Sequence, residues 1–154
     1  MTALDATDRR LLAILQSDAT VPVAELAERV GLSQTPCWKR LKRLQDSGVI
    51  TARVALLNRD ALDLPLVVFV SVKTNQHDGA WLEAFRKASS FAEVVEFYRM
   101  AGEVDYLLKV IVRDIAAYDR FYKRLISTVP LCDVTSSFAM EQIKFTTALP
   151  LQEL

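Results

Sequence analysis

The chain has 154 residues, 51% of them hydrophobic and 25% charged, which suits one globular domain or two small ones and excludes a disordered chain. Nineteen Lys plus Arg balance nineteen Asp plus Glu, so any attraction to nucleic acid has to come from a local patch. No apolar run approaches the roughly 20 residues of a membrane span, and the acidic start MTALDATD does not read as a signal peptide, so a cytoplasmic protein is expected. Cys37 and Cys132 stand far apart without partners at metal-ligand spacing. That argues against a disulfide framework and a zinc site, and no metal or cofactor is expected; Cys37 reads as core filler.

An opening helix is predicted from about Asp5 to Gln16, with Leu4, Leu11, Leu12 and Leu15 on its apolar side and Asp5 or Thr7 as the candidate cap. Pro22 and Val23 introduce a helix from Ala24 to Val30, ended by Gly31. A further helix starts after Ser33, whose hydroxyl can cap free backbone N–H groups, and Pro36 falls in the first turn, where a missing N–H costs nothing. Cys37, Leu41 and Leu44 recur at i, i+4, i+7 and define a buried stripe. Thr35, Trp38, Lys39 and Lys42 share another face, flanked by Arg40 and Arg43. Along this helix Lys39, Arg40, Lys42 and Arg43 meet no acid before Asp46, so the exposed face suits phosphates and base edges. After Gly48 the β-rich run VITARVALL, with Arg53, is predicted to form a wing and leave as a strand. Residues 1–58 therefore read as a winged helix-turn-helix.

Asn58 to Pro65, NRDALDLP, collects turn formers and is the expected junction, with a hinge over 59–65. Beyond it, LVVFVSVK (Leu66 to Lys73) reads as a buried strand. NQHDGAWLEAFRKAS follows as a loop and a helix with Trp81, Leu82 and Phe85 inward. EVVEFYRM (Glu93 to Met100) and DYLLKVIV (Asp105 to Val112) read as strands joined by Ala101 to Val104, a hairpin turn containing Gly102. IAAYDRFYKRLIST is a helix with Ile115, Tyr118, Phe121, Tyr122 and Leu125 at helical spacing, and a last strand is predicted from about Asp133 to Lys144. The order β-α-β-β-α-β over 66–154 predicts a ferredoxin-like sandwich, giving an α+β chain overall. Two helices cover only one sheet face, and VVFVSV, YLLKVIV and SSFAMEQI are expected to place Val, Phe, Leu and Met on the other. Sheet-to-sheet homodimerisation would cover that apolar area. A two-fold dimer also sets two reading helices one or more DNA turns apart on a pseudo-palindrome.

These residues resemble the leucine-responsive/asparagine-type (Lrp/AsnC, or feast/famine) regulators of bacteria and archaea. The resemblance runs from Leu4 to about Leu151. It rests on the start LDATDRRLLAILQ, on AELAERVGLS followed by TPCWKRLKRL, on GVI then ALLN (Gly48 to Asn58), and on GEVDYLLKV (Gly102 to Val110). It implies a winged helix-turn-helix, a βαββαβ (RAM/ACT-like) effector domain, dimers that assemble into tetramers, octamers or hexadecamers, and an amino acid bound between dimers. TPCWKRLKRL, RMAGEVDYLLKV and DVTSSFAMEQIKFTTALP are similar to the cysteine-responsive regulators of cysteine detoxification, with branched-chain-acid regulators somewhat less close. One departure is visible: the family often has Pro-Gly-Val before its last strand, where this chain has Pro130, Leu131, Cys132, Asp133 and Val134.

For double-stranded DNA, Ser33, Gln34 and Thr35 are the candidates for phosphates and base edges at the helix start. Trp38 and Lys39 lie one turn on, and Arg40, Lys42 and Arg43 are expected mostly to neutralise phosphates. The plainer alternative is a solvated basic helix with Trp38 packed locally. For an effector, a free amino acid needs acceptors for its ammonium and donors for its carboxylate. Asp105 can supply the first and the backbone around Gly102 the second, within the loop Met100-Ala101-Gly102-Glu103-Val104-Asp105; the resemblance places this loop at the contact between dimers. Thr135, Ser136 and Ser137 are expected to face the same cavity. The alternative is a simple hairpin turn in which Asp105 caps backbone groups. His77 reads as an exposed loop residue. Glu93, Glu96, Glu103 and Asp105 read as structural carboxylates, since no nucleophile accompanies them. The aromatic set Tyr98, Tyr106, Tyr118, Phe121 and Tyr122 reads as packing. The expected function is an amino-acid-responsive, sequence-specific transcription factor and not an enzyme. Its rivals are an architectural, sequence-tolerant DNA organiser and a small enzyme with an accessory winged helix.

Overall fold

Asp5 and Asp8 start the first helix by capping each other: the Asp8 amide donates to the Asp5 carboxylate at 2.8 Å and the Asp5 amide donates to the Asp8 carboxylate at 3.2 Å. This reciprocal box satisfies two of the orphan N–H groups of a helix start. We describe a computed structural model of the chain over residues 4–76 and 78–151; His77 lies outside the described residues. Its elements are α1 (Ala6–Ser17), α2 (Val23–Val30), α3 (Gln34–Asp46), β1 (Leu66–Lys73), α4 (Gly79–Arg86), β2 (Val94–Arg99), β3 (Tyr106–Val112), α5 (Ile115–Thr128) and β4 (Asp133–Phe138), with a 3-10 turn at Lys87–Ser90 after α4. They fall into two compact units, one reaching Leu56 and including the segment from Lys144 onward, the other spanning Leu57–Ile143.

In the first unit Leu11, Val21, Leu26, Ala27, Val30, Cys37 and Leu41 form one apolar cluster, and Leu44 is buried as well. The stripe predicted on α3 is thus its buried face. Gly31 ends α2 at φ 71°, a left-handed conformation that only a residue without a Cβ adopts freely. Leu32 then donates back to the Ala27 carbonyl at 2.8 Å. The β-rich run after Gly48 is no strand: residues 51–58 take no regular structure, with Val54 and Leu57 each more than 70% exposed. β-branched composition favours a strand only where a ladder partner exists, and none pairs with this segment among the described residues. The stretch from Lys144 onward packs with the first unit, and Gln16 on α1 holds it. The Leu149 amide donates to Gln16 Oε1 at 2.6 Å and Gln16 Nε2 donates to the Leu149 carbonyl at 3.2 Å.

In the second unit the four strands form one antiparallel sheet of order β2-β3-β1-β4, the order expected of the ferredoxin-like sandwich. Val68, Val70 and Val72 of β1 and Tyr106, Leu108, Val110 and Val112 of β3 point toward the helices, where Trp81, Phe85, Tyr118, Phe121 and Leu125 complete the core. The Trp81 indole N–H donates to the Pro130 carbonyl at 3.0 Å, tying α4 to the loop before β4. By register the opposite face carries Val67, Phe69 and Ser71 on β1, Leu107, Lys109 and Ile111 on β3, Glu96 and Tyr98 on β2, and Thr135 and Ser137 on β4. β4 ends at Phe138, six residues short of the predicted Lys144. Phe138 is in register with Val68, in the helix-side row, and Met140 lies beyond the ladder, 96% exposed. The open face is therefore less apolar than expected and takes no methionine from this strand.

Candidate DNA interface and effector loop

α3 presents two chemically different sets of cations. Lys39 and Lys42 project from the exposed side and form no ion pair among the described residues. Trp38 is half exposed with the Lys42 ammonium 5.5 Å from its ring centroid, so it is not core and serves as a cation–π platform. Gln34 and Thr35 are exposed at the helix start, where with Val23 and Trp38 they line an open groove. Ser33 occupies the N-cap position with extended backbone, yet its hydroxyl makes no capping hydrogen bond. The predicted cap is absent, and among the described residues the hydroxyl takes no hydrogen bond at the end of the helix that attracts anions.

Arg40 and Arg43 are the second set. Arg40 Nη1 lies 2.9 Å from Asp8 Oδ1 and also bonds the Asp5 carboxylate, while Arg43 Nη2 bonds Asp8 Oδ2. The acid missing along α3 is supplied across the helix packing by α1. These two arginines, expected to neutralise phosphates, are committed to carboxylates of their own unit. Asp8 is fully buried. The Asp5 carboxyl is lowered from 3.8 to about 2, first by the Asp8 amide and then by the Arg40 guanidinium, and Arg40 is raised in turn. Asp5 is legible in the sequence only as a cap; the signal for the rest is its i, i+3 spacing to Asp8, which puts two carboxylates on one side of a helix.

The candidate effector loop is a closed hairpin turn. The Met100 amide donates to the Asp105 carbonyl at 2.8 Å, and the Asp105 amide donates to the Val72 carbonyl at 3.0 Å. Asp105 Oδ2 accepts from the Thr74 amide at 2.8 Å. The backbone-capping alternative thus accounts for one carboxylate oxygen, and Oδ1 takes no hydrogen bond among the described residues. Met100, Ala101 and Gly102 are exposed, and Gly102 sits at φ 140°. Beside them Lys73 pairs with Glu103 at 3.2 Å.

The three hydroxyls of β4 do not share a face. Thr135 and Ser137 oppose Ser71 and Phe69 on the open side, whereas Ser136 opposes Val70 on the helix side and hydrogen-bonds the Tyr118 hydroxyl. Alternation along a strand forces this division. Sequence reasoning also missed a polar cluster on the open face, where Lys109 pairs with Glu96 at 2.6 Å and the Tyr98 hydroxyl donates to the same carboxylate at 2.8 Å. Lys109 and then Tyr98 hold Glu96 below the usual carboxylate range.

A helix-turn-helix with a half-free basic helix, followed by a βαββαβ sandwich, defines a DNA-binding transcriptional regulator with a ligand-binding domain. Two family models match in the same order, a winged helix-turn-helix DNA-binding model over residues 4–51 and the Lrp/AsnC ligand binding domain over residues 67–149. The chain belongs to the Lrp/AsnC family of transcriptional regulators, and so to a family of regulators and not of enzymes. It is 54% identical to the DNA-binding transcriptional activator DecR of Escherichia coli (strain K12) over 97% of this chain and 99% of that protein. Among solved structures, an AsnC family transcriptional regulator from Agrobacterium tumefaciens is 55% identical with a TM-score of 0.94, covering 98% of this chain and 99% of that one. A transcriptional regulator from Neisseria meningitidis in complex with L-Met is 36% identical with a TM-score of 0.93 over the same shares. No helix among the described residues is long and apolar enough to cross a membrane.

Proposed function

We propose that this regulator acts in the cytoplasm as a homodimer on pseudo-palindromic double-stranded DNA and responds to a small amino acid, cysteine foremost, held between dimers that assemble into tetramers or octamers. The observation that carries the DNA half is the exposed side of α3, where Ser33, Gln34, Thr35, Trp38, Lys39 and Lys42 stand free of the core. The hydroxyl, amide and indole groups suit base edges and phosphates, and the lysines suit phosphates alone. Arg40 and Arg43 lie beside this face in the grip of Asp5 and Asp8. The open sheet face, with Phe69, Leu107 and Ile111, is the area a second copy would cover.

The effector half is supported by the L-Met complex of the Neisseria relative and by the chemistry of the hairpin turn. Asp105 Oδ1 is the acceptor assigned to the ammonium, the backbone N–H groups of Ala101 and Gly102 supply donors for the carboxylate beside Met100, whose own amide is taken by the Asp105 carbonyl, and Thr135 and Ser137 add hydroxyls from the open face. Cysteine is ranked first on the similarity of TPCWKRLKRL and RMAGEVDYLLKV to cysteine-responsive regulators. A ligand that prefers one arrangement of dimers shifts DNA affinity through linkage.

The test is a thermal-shift screen of the common amino acids, with gel mobility on DNA upstream of the protein's own coding sequence. Stabilisation by cysteine, lost in Asp105→Ala, together with a ligand-dependent change in mobility, is the expected result. Stabilisation that survives Asp105→Ala removes the hairpin turn as the site. Equal affinity for all duplexes and no ligand response would make the protein an architectural DNA organiser instead.

A further inference from the structure

We infer that Asp8, a buried residue of α1, sets the charge that the reading helix offers to DNA: it holds Arg40 and Arg43 in a neutral cluster with Asp5 and leaves Lys39 and Lys42 as the cations that displace counterions from the duplex. This rests on the proposal that α3 is the reading helix and corrects its charge count.

Asp8 has no exposed surface. A buried carboxylate stripped of its partners carries a penalty far larger than the gain from a surface phosphate contact. Arg40 and Arg43 therefore cannot both swing outward without leaving Asp8 only the Asp5 amide as a partner. Geometry leads to the same end. One turn of α3 separates the two arginines, and both converge on opposite oxygens of one carboxylate. The reciprocal bonds between Asp5 and Asp8 hold both acids in place independently of the arginines.

Two cations and two anions cancel within the cluster, so it has little net charge with which to replace condensed sodium or potassium on the phosphates. Lys39 and Lys42 have no such partner among the described residues, and the Lys42 ammonium lies over the Trp38 ring. The arginines act on DNA indirectly, as positioning residues that seat α3 on α1 and thereby aim Gln34, Thr35 and Trp38. Asp8 is the hub of that seat.

The salt dependence of binding distinguishes the two sets. Fluorescence anisotropy of the full-length protein on a labelled mixed-sequence duplex, over a series of KCl concentrations, gives the slope of log affinity against log salt. Lys39→Ala and Lys42→Ala should each reduce that slope by about 0.9 for every phosphate the lysine had neutralised. Arg40→Gln and Arg43→Gln should leave the slope unchanged while lowering the melting temperature. Asp8→Asn should steepen the slope, strengthen binding to the mixed-sequence duplex at low salt and lower the melting temperature. Should Asp8→Asn fail to fold by circular dichroism, the comparison of Arg43→Gln with Lys39→Ala carries the test, because Arg43→Gln leaves the Asp8 carboxylate paired with Arg40. The inference is overturned if Arg43→Gln flattens the slope as much as Lys39→Ala, or if removing a negative charge leaves the slope where it was. Lysine variants that bind with an unaltered slope would bring down the assignment of α3 itself, and this inference with it.

Discussion

The Tyr118 hydroxyl on α5 and the Ser136 hydroxyl on β4 share a hydrogen bond on the helix side of the sheet. Their bond takes Ser136 out of any site on the open face and makes it a strut between helix layer and edge strand. Ser136→Ala leaves the phenol without that partner, which costs about 0.5–1.5 kcal/mol and lowers the melting temperature by roughly 2–4 °C per kcal/mol in a chain of this size. Stabilisation by an amino-acid effector should be unaffected, because the deleted group faces the wrong way. A melt of Ser136→Ala with and without effector checks both; loss of the effector response alone would return Ser136 to the binding set.

The same phenol carries a pH dependence at the alkaline end. Burial raises Tyr118 above its ordinary value of 10.0, against the opposing pull of the Ser136 bond. Folding therefore favours the protonated form, and the stability this contributes is complete below the unfolded value and declines as pH rises through the folded one. Tyr118→Phe should flatten the loss of stability above pH 10, measured by urea titration at stepped pH. An identical alkaline profile in the two proteins would count against it.

Asp5 sets the acid end in the opposite sense. Its carboxyl is lowered to about 2 by the Asp8 amide first and the Arg40 guanidinium second, so the folded state favours the ionised form. That contribution is whole above the ordinary value of 3.8 and is lost as pH falls toward 2. In Asp5→Asn the helical signal should fall less steeply with acid between those limits, from a lower stability at neutral pH. Superimposable acid titrations would show that the cluster does not govern this unit.

What sequence made legible was everything with a local period. Cys37, Leu41 and Leu44 at i, i+4, i+7 named the buried side of α3, and the spacing of Tyr118, Phe121 and Leu125 named the buried side of α5. What escaped depends on partners distant in the chain. Arg40 and Arg43 read as free because Asp8 lies 32 and 35 residues away. VITARVALL read as a strand because composition does not show whether a ladder partner exists. The division of Ser136 from Thr135 and Ser137 is different, since the period of a strand already implied it.

At Gly102 the backbone, not packing, decides the outcome of substitution. Its φ is 140°, and a Cβ built there meets nothing within 4 Å. Gly102→Ala therefore introduces no clash but asks an L-residue to hold a glycine-only conformation, at an expense of order 1–3 kcal/mol. The hairpin turn should relax away from that geometry. Chemical denaturation should report the destabilisation, and effector affinity should fall because the turn's donors move. Undiminished stability and affinity in Gly102→Ala would mean that the positive φ is not needed by the turn.

Gln16 holds Leu149 through both ends of its side-chain amide, imitating the paired hydrogen bonds of a neighbouring strand. Among the described residues no strand pairs with the segment from Lys144 onward, and Phe145 and Leu149 stay largely exposed within it. Gln16→Ala removes donor and acceptor together. Gln16→Glu keeps an acceptor for the Leu149 amide and faces the Leu149 carbonyl with a second oxygen, so it preserves one bond and turns the other into repulsion. Amide hydrogen exchange at Leu149 should accordingly be slowest in the unsubstituted protein, faster in Gln16→Glu and fastest in Gln16→Ala, with α1 amides little changed. Equal exchange at Leu149 in all three would show that the segment is held by something other than this amide.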